Sequence, residues 1–277
     1  MLDNEIIRKI EDFVCSKPRS VQEIAEHINK NWRTADRYVE TIIKEFGTLS
    51  IRTFREGTRG ALKIVYWASV EKRTNSTFQD ILEKELMNEK VKSNFSGFDI
   101  FQHIPDKDKK ARLERAKNDN LTDLREFADY LSKAEKQVLV FSGNLSFINL
   151  KNKEVDIFKV LEGLVKRGIS IKMVCRVDLI GRDNIEKMLS LNFKYGKELI
   201  EIRHREQPLR AFVVDNKILR IREIKEPTGK IHELEEKLFL FYTIRNREWI
   251  EWISRVFWKM FSISIDSKKR IDEMKKI

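Results

Sequence analysis

Residues 20–67, SVQEIAEHINKNWRTADRYVETIIKEFGTLSIRTFREGTRGALKIVYW, decide how this chain is read. Val21, Ile24, Ala25 and Ile28 recur at the i, i+3, i+4, i+7 spacing that gathers apolar side chains on one helical face. After Lys30 the phase resets. Ala35, Tyr38, Val39, Ile42, Ile43 and Phe46 form a second stripe, and Asn31 stands where a helix N-cap accepts a backbone N–H. Gly47 then ends the helix. Leu49–Phe54 reads as a strand, Arg55–Gly60 as a glycine-bounded basic turn, and Ala61–Trp67 as the returning strand.

Two short helices joined by a few residues, with basic and hydroxyl side chains in the first turns of the second, have the layout of a helix-turn-helix. The hairpin that follows makes it a winged helix. Such a module sets its second helix in the major groove of DNA and leans the hairpin tip on the adjacent backbone. The expected contacts are Trp32, Arg33, Thr34, Arg37 and Tyr38 from the helix, and Arg55, Thr58 and Arg59 from the wing. Gly57 and Gly60 permit the tight turn. The competing reading is a protein-docking module with a solvated charged face, since a fold alone does not fix a function. The position of the arginines, at the start of the second helix and at the wing tip, favours DNA.

A chain of 277 residues is long for one compact domain. The expected fold class is multi-domain α+β and α/β: a winged helix over 1–70, a helical connector and charged linker over 71–120, and an α/β domain over 121–277. The formal net charge of +11, with 36% of residues charged, favours a polyanionic partner such as nucleic acid or a membrane surface. No apolar run approaches the roughly 20 residues of a membrane-spanning helix. The N-terminal MLDNEIIRK lacks the basic region, apolar core and cleavage site of a signal peptide. The expectation is a cytoplasmic protein with no membrane partner. Cys15 and Cys175 lie far apart in apolar periodic segments, which predicts buried reduced thiols. Metal-ligand spacings, phosphate-binding glycine loops and nucleophile elbows are missing from the sequence, so neither a metal nor a cofactor is expected.

The first helix covers Asp3–Cys15. Beyond the hairpin, Phe78, Ile81, Leu82, Leu86 and Val91 predict an amphipathic helix over Thr77–Lys92, and Phe95, Phe98, Ile100 and Phe101 an aromatic patch that docks onto something. Asp106–Asn120 is the most polar stretch and reads as the linker. Helices and strands then alternate, with strands at Val138–Phe141, Ile169–Val174, Leu199–Ile202, Ala211–Val214 and Ile218–Ile221, which predicts a mostly parallel sheet closed by hairpin strands. Sites in such sheets lie at the carboxyl ends of the strands. Those ends carry Ser142, Asn144, Arg176, Asp178, Arg203 and His204, and with Arg210 they suit a small anionic or polyhydroxylated effector; solvated loop charges are the alternative. An unusually apolar helix over Arg247–Ser262 fills a core or a subunit interface, and the tail from Asp266 to Ile277 is basic and amphipathic, read as a fraying helix.

Gln207–Arg222, QPLRAFVVDNKILRIR, resembles the strand, turn and strand that carries the phospholipase D superfamily's motif of His, one residue, Lys, four residues, Asp. Setting the motif's Asp on Asp215 places its Lys on Arg210 and its His on Pro208. In that superfamily the histidine is the phosphoryl-accepting nucleophile, and proline has no such group. A winged helix, a helical connector and a catalytically empty phospholipase D-like domain, in that order, resemble the archaeal TrmB-type transcription regulators, whose C-terminal half senses an effector or forms a dimer. The resemblance implies a homodimeric, non-enzymatic regulator of transcription bound to double-stranded DNA. Two other readings stay open. One is a phospholipase D-type phosphodiesterase or nuclease; the other is a chromosome-associated DNA-binding protein, or a docking adaptor, without an effector.

Overall fold

The computed structural model describes residues 3–55, 61–68, 75–115, 124–227 and 236–275. Two compact units emerge: 1–78 with 111–116 and 224–240, and 79–110 with 117–223 and 241–277.

The first unit opens with α1 (Asn4–Ser16), β1 (Arg19–Ser20), α2 (Val21–His27), α3 (Trp32–Glu45), β2 (Leu49–Arg55) and β3 (Ala61–Trp67), the element order of a winged helix. Each boundary has a local cause. Asp3 caps α1, and at α2 Ser20 and Glu23 form a reciprocal capping box that satisfies two helix-end donors at once. Asn31 Oδ1 accepts from Thr34 N at 2.9 Å to start α3. Gly47 ends it in the left-handed region at φ 65°, a backbone most side chains resist. Ile7, Ile10, Val14, Ile24, Ala35, Val39 and Ile42 interlock with Leu49 and Val65 as the core. The strands pair in the order β1-β3-β2. Cys15, expected to be buried, is exposed: it lies off the apolar face that Val14 occupies.

The chain continues through α4 (Asn75–Asn88), α5 (Gly97–Phe101), β4 (Lys109–Arg115), α6 (Leu124–Ser132), β5 (Gln137–Phe141), α7 (Ile157–Lys166), β6 (Ser170–Cys175), α8 (Arg182–Tyr195), β7 (Ile200–His204), β8 (Ala211–Val214), β9 (Ile218–Lys225), β10 (Leu238–Ile244), α9 (Arg247–Ser262), β11 (Ile265–Asp266) and α10 (Ser267–Met274). An eight-stranded sheet runs in the order β11-β7-β6-β5-β8-β9-β10-β4. The pairs β5–β6 and β6–β7 are parallel, whereas β5–β8, β8–β9 and β11–β7 are antiparallel. The expected mostly parallel sheet is therefore a mixed one. Parallel strands need helical crossovers, and only α7 and α8 provide them between neighbouring strands.

Three expectations change here. Residues 106–115, read as linker, form a 3-10 turn and β4, an edge strand whose charged side chains suit a sheet margin. The C-terminal tail is anchored rather than frayed, since β11 pairs with β7 and Ile271 of α10 is buried in the core. The connector helix ends at Asn88, ahead of Lys92. The aromatic patch docks as anticipated: Phe98 and Phe101 pack on buried Tyr242 at centroid distances of 6.5 and 5.0 Å. Helix α9 buries Trp249, Ile250, Trp252, Ile253, Val256, Phe257, Met260 and Phe261, which explains why apolar residues cover more than one of its faces. Among the described residues, no helix is long and apolar enough to cross a membrane.

Candidate functional site

The N-cap at Asn31 fixes the phase of α3, and the buried stripe Ala35, Val39 and Ile42 decides which face is left outward. Arg33 and Arg37, four residues apart, are both exposed on that free side. Trp32 and Tyr38, expected as contact residues, are only partly exposed and pack against the core. They carry the arginines instead: each guanidinium lies 5.8 Å from the neighbouring ring, Arg33 over Trp32 and Arg37 over Tyr38. Thr34 is half-buried and its backbone N–H is held by the cap. Of the wing residues, Thr58 and Arg59 lie outside the described residues, as does the side chain of Arg55.

Sequence reasoning missed a further feature of this surface. Asp36 and Glu40 share α3 with the arginines and would repel a phosphate backbone. Lys63 of β3 reaches both, with Nζ donating to Asp36 Oδ2 at 2.6 Å and to Glu40 Oε1 at 3.3 Å. Burial pulls the Lys63 pKa down, yet the hydrogen bond and charge of Asp36, joined by Glu40, hold it above the usual lysine value. One lysine thereby masks two carboxylates next to the arginine ridge. Its signal in the sequence was only a basic residue inside a strand.

In the second unit, the candidate ligand residues divide into separate groups. Arg203 and His204 end β7, which β6 and β5 separate from β8. Three strand spacings of about 4.8 Å make that on the order of 14 Å, so His204 and Arg210 do not form one site. His204 Nδ1 accepts from Val177 N at 2.9 Å, and Arg203 lies over the Phe261 ring at 5.2 Å. Burial, reinforced by Arg270, keeps the His204 imidazole below its ordinary pKa. Arg176 pairs with Asp178 at 2.6 Å, and Asp178 also accepts from Gly181 N, shaping the loop into α8. Ser142 Oγ and Asn144 Oδ1 accept from Leu145 N and Ser146 N, so these side chains build the loop after β5.

Arg210 belongs to a different constellation. It stands opposite Arg222 across the β8–β9 pair, where Arg222 N donates to Arg210 O at 2.8 Å. Lys92, in the loop between α4 and α5, reaches the same place; its Nζ donates to the carbonyls of Leu209 at 2.5 Å and Ser142 at 3.3 Å. Pro208 lines the same cleft, with Glu223 at its margin. Burial drives the Lys92 pKa down to about 6, with Arg210 and then Arg176 adding to the effect while Cys175 opposes it. Burial likewise takes Arg222 down to about 10, assisted by Arg210 and Arg220.

The motif aspartate has a structural task. Asp215 and Asn216, at φ 52° and 53°, are the central residues of the turn that Lys217 N closes on Val214 O at 2.8 Å, in the three-residue connection between β8 and β9, both in the left-handed region. The Asp215 carboxylate accepts from the backbone N–H groups of Glu135 at 2.7 Å and of Lys136 and Gln137 at 2.8 Å. Burial alone would raise its pKa, but the bonds from Gln137, Glu135 and Lys136 outweigh burial and lower it. Among the described residues, no group of three or more His, Cys, Asp or Glu side chains converges as a metal site.

No family model matches the chain, and no curated protein matches it. Solved structures overlap it loosely. Nuc of Salmonella typhimurium, a phospholipase D family member, has a TM-score of 0.40 at 12% identity, covering 57% of this chain and 97% of its own. NucT of Helicobacter pylori has a TM-score of 0.39 at 13% identity, covering 57% and 99%. TrmBL2, an archaeal chromatin protein with a novel mode of DNA binding, has a TM-score of 0.39 at 15% identity, covering 95% of this chain and 94% of its own. Overlap of this extent assigns no function. What the chain's own geometry defines is a mixed α+β protein with a helix-turn-helix in its first unit, an exposed arginine pair on the second helix of that motif, and a small cleft in its second unit lined by Lys92, Arg210, Arg222 and Glu223.

Proposed function

We propose that this chain is a DNA-binding transcription regulator, homodimeric and cytoplasmic, whose first unit reads double-stranded DNA through α3 and the β2–β3 hairpin. The observation that carries the reading is the arginine pair: Arg33 and Arg37 are exposed four residues apart on the second helix of a helix-turn-helix, while Lys63 masks the carboxylates beside them. A helix so placed reaches base edges with its N-terminal residues, and phosphate contacts by arginine fix its register.

The second unit is read as a phospholipase D-like domain without catalysis, for effector sensing or dimerisation. Three observations support this. Pro208 occupies the nucleophile's place in the motif, Asp215 is spent on a turn, and His204 lies three strands from Arg210. A phosphodiester nucleophile needs an attacking group and an orienting base within hydrogen-bond reach of each other.

Fluorescence anisotropy with labelled duplexes tests the proposal. Selected sites are expected to bind at least a thousandfold tighter than random duplex at physiological salt, as specific regulators do. Equal affinity for both makes the chain a chromosome-associated protein, and failure to bind either makes it an adaptor. Sedimentation of the free protein is expected to show a dimer, since a two-fold pair of recognition helices matches half-sites one helical turn apart.

A further inference from the structure

Helices α6, α7 and α8 end at the pole of the second unit where β5, β6 and β7 begin, and the loops between them carry exposed cations. Local bonds join those loops into one surface. Arg167, the C-cap of α7, donates from Nη2 to the carbonyl of Ser132, the last residue of α6, at 2.8 Å, and Lys133 follows directly. Ser170 N donates to Lys136 O at 3.0 Å, and Ile171 N to Leu199 O at 2.9 Å, just beyond Lys197. Lys166 and Lys194 approach the Tyr195 ring at 5.8 and 5.6 Å.

Two cations of this pole are held within the protein: Lys194 donates to Glu162 and Lys217 to Glu135, each at 2.7 Å. Lys133, Lys136, Lys166, Arg167 and Lys197 are exposed and form no ion pair among the described residues, although Lys166 lies within reach of the Glu162 charge. Glu135 is occupied by Lys217, and Asp215 turns onto the backbone N–H groups of residues 135–137. Glu198 is the carboxylate of these loops left to offset the five. Helix ends explain part of the charge. Each C-terminus carries about half a negative charge that nearby cations offset, so three ends answer to about one and a half. Five unpaired cations exceed that, and Lys136 heads a strand rather than ending a helix.

We infer that this pole of the second unit is a phosphate-contacting surface for duplex DNA, additional to α3 and indifferent to base sequence. The inference rests on the DNA-binding reading of the chain and extends it to a second surface. Strands β7, β6, β5 and β8 stand side by side, so three spacings of about 4.8 Å spread the cations over on the order of 14 Å. One strand of a duplex presents about four phosphates over that length, at about 3.4 Å each, a fair match for five cations. Lysine is a point charge on a flexible stem, which engages phosphate without reading a base. An anionic membrane fits less well. Phe193, 93% exposed, is among the described residues the large apolar side chain beside these lysines, and a single phenylalanine does not make the apolar face that seats a protein among headgroups. Single-stranded nucleic acid asks for open aromatic faces, whereas Tyr195 is half-buried, with its hydroxyl donating to Glu162 at 2.6 Å.

Lysine footprinting of the intact chain tests this. Acetic anhydride modifies exposed lysines, and mass spectrometry reads which of them a ligand protects. A random-sequence duplex is expected to protect Lys133, Lys136, Lys166 and Lys197, while Lys151 and Lys153, exposed ahead of α7 at the opposite ends of the strands, react as in the free protein. The triple variant Lys133→Gln, Lys136→Gln, Lys197→Gln should make the slope of log K against log salt concentration shallower by about 2.7. It should also weaken random duplex at least about tenfold at moderate salt, with far-UV circular dichroism unchanged. The inference fails if the four lysines react freely while duplex is bound, or if the triple variant keeps the wild-type slope and affinity. It fails equally if vesicles of phosphatidylserine and phosphatidylcholine protect these lysines and duplex does not. The reading of α3 fails separately: an Arg33→Gln, Arg37→Gln variant that binds as the wild type does, with the four lysines still protected, removes α3 and leaves the basic pole standing. A wild type that binds no duplex at low salt overturns both.

Discussion

Replacing Asp215 separates the structural account of the hairpin from a catalytic one. Its carboxylate receives three backbone N–H groups from residues 135–137 and so ties the β8–β9 turn to the start of β5. Hydrogen bonds to a charged acceptor are each worth about 1.5–3 kcal/mol when buried, and partial exposure here brings the three together to about 2–3 kcal/mol. Asp215→Ala loses all three and adds the cost of a left-handed alanine, on the order of 1 kcal/mol. Asp215→Asn keeps one acceptor oxygen and the tolerance for positive φ, and is expected to lose about half as much. Urea unfolding followed by circular dichroism measures both. The lowered folded-state pKa sets the pH window. The stabilisation is full above the ordinary aspartate value of about 3.9 and drains away as pH falls through the lower folded value. The variants should therefore approach the wild type in stability as pH falls below that lowered value, with Asp215→Ala keeping only the backbone cost of its left-handed alanine. Equal stability of wild type and Asp215→Ala at pH 7, or a gap that persists unchanged in acid, refutes the reasoning.

Gly97 opens α5 beneath Tyr242, and a Cβ there would meet Tyr242 Cδ2 at 2.7 Å and Ile221 Cγ2 at 2.9 Å. Tyr242 is fully buried, so Gly97→Ala should destabilise by about 1–3 kcal/mol in thermal or urea unfolding, against alanine's better helix propensity. Lys63→Gln should cost less than about 1 kcal/mol of stability, because the ion pair is partly solvated, yet weaken duplex binding several-fold by baring Asp36 and Glu40; anisotropy alongside urea unfolding separates the two effects. Because the Lys63 pKa is raised on folding, whatever stability it does contribute is present below about pH 10.4 and disappears as pH rises through the folded value.

The parts of the fold written in the sequence are those with local causes. Helix α3 is legible because Asn31, the stripe from Ala35 to Ile42 and Gly47 agree on one start, one face and one end. Helix α9 matches its expected span, and the β8–β9 hairpin is marked by two residues that tolerate positive φ. Other features depend on partners remote in sequence. Strand β4 presents Leu113 among charges and reads as linker until a sheet edge supplies its backbone bonds. Sheet order is equally hidden, and it alone decides that Arg203 and His204 stand apart from Arg210. Lys92 gave no sign of itself, because a lysine beyond the end of an amphipathic helix is ordinary until the fold buries it beside two arginines.

The central claim is that the exposed face of α3 meets the phosphates and bases of a duplex, and the salt dependence of binding measures it most directly. Each phosphate contact contributes about −0.9 to the slope of log K against log salt concentration. Replacing both Arg33 and Arg37 with glutamine should make the wild-type slope shallower by about 2 and weaken binding at moderate salt, with the first unit still folded. A double variant that keeps the wild-type slope and affinity would contradict the account.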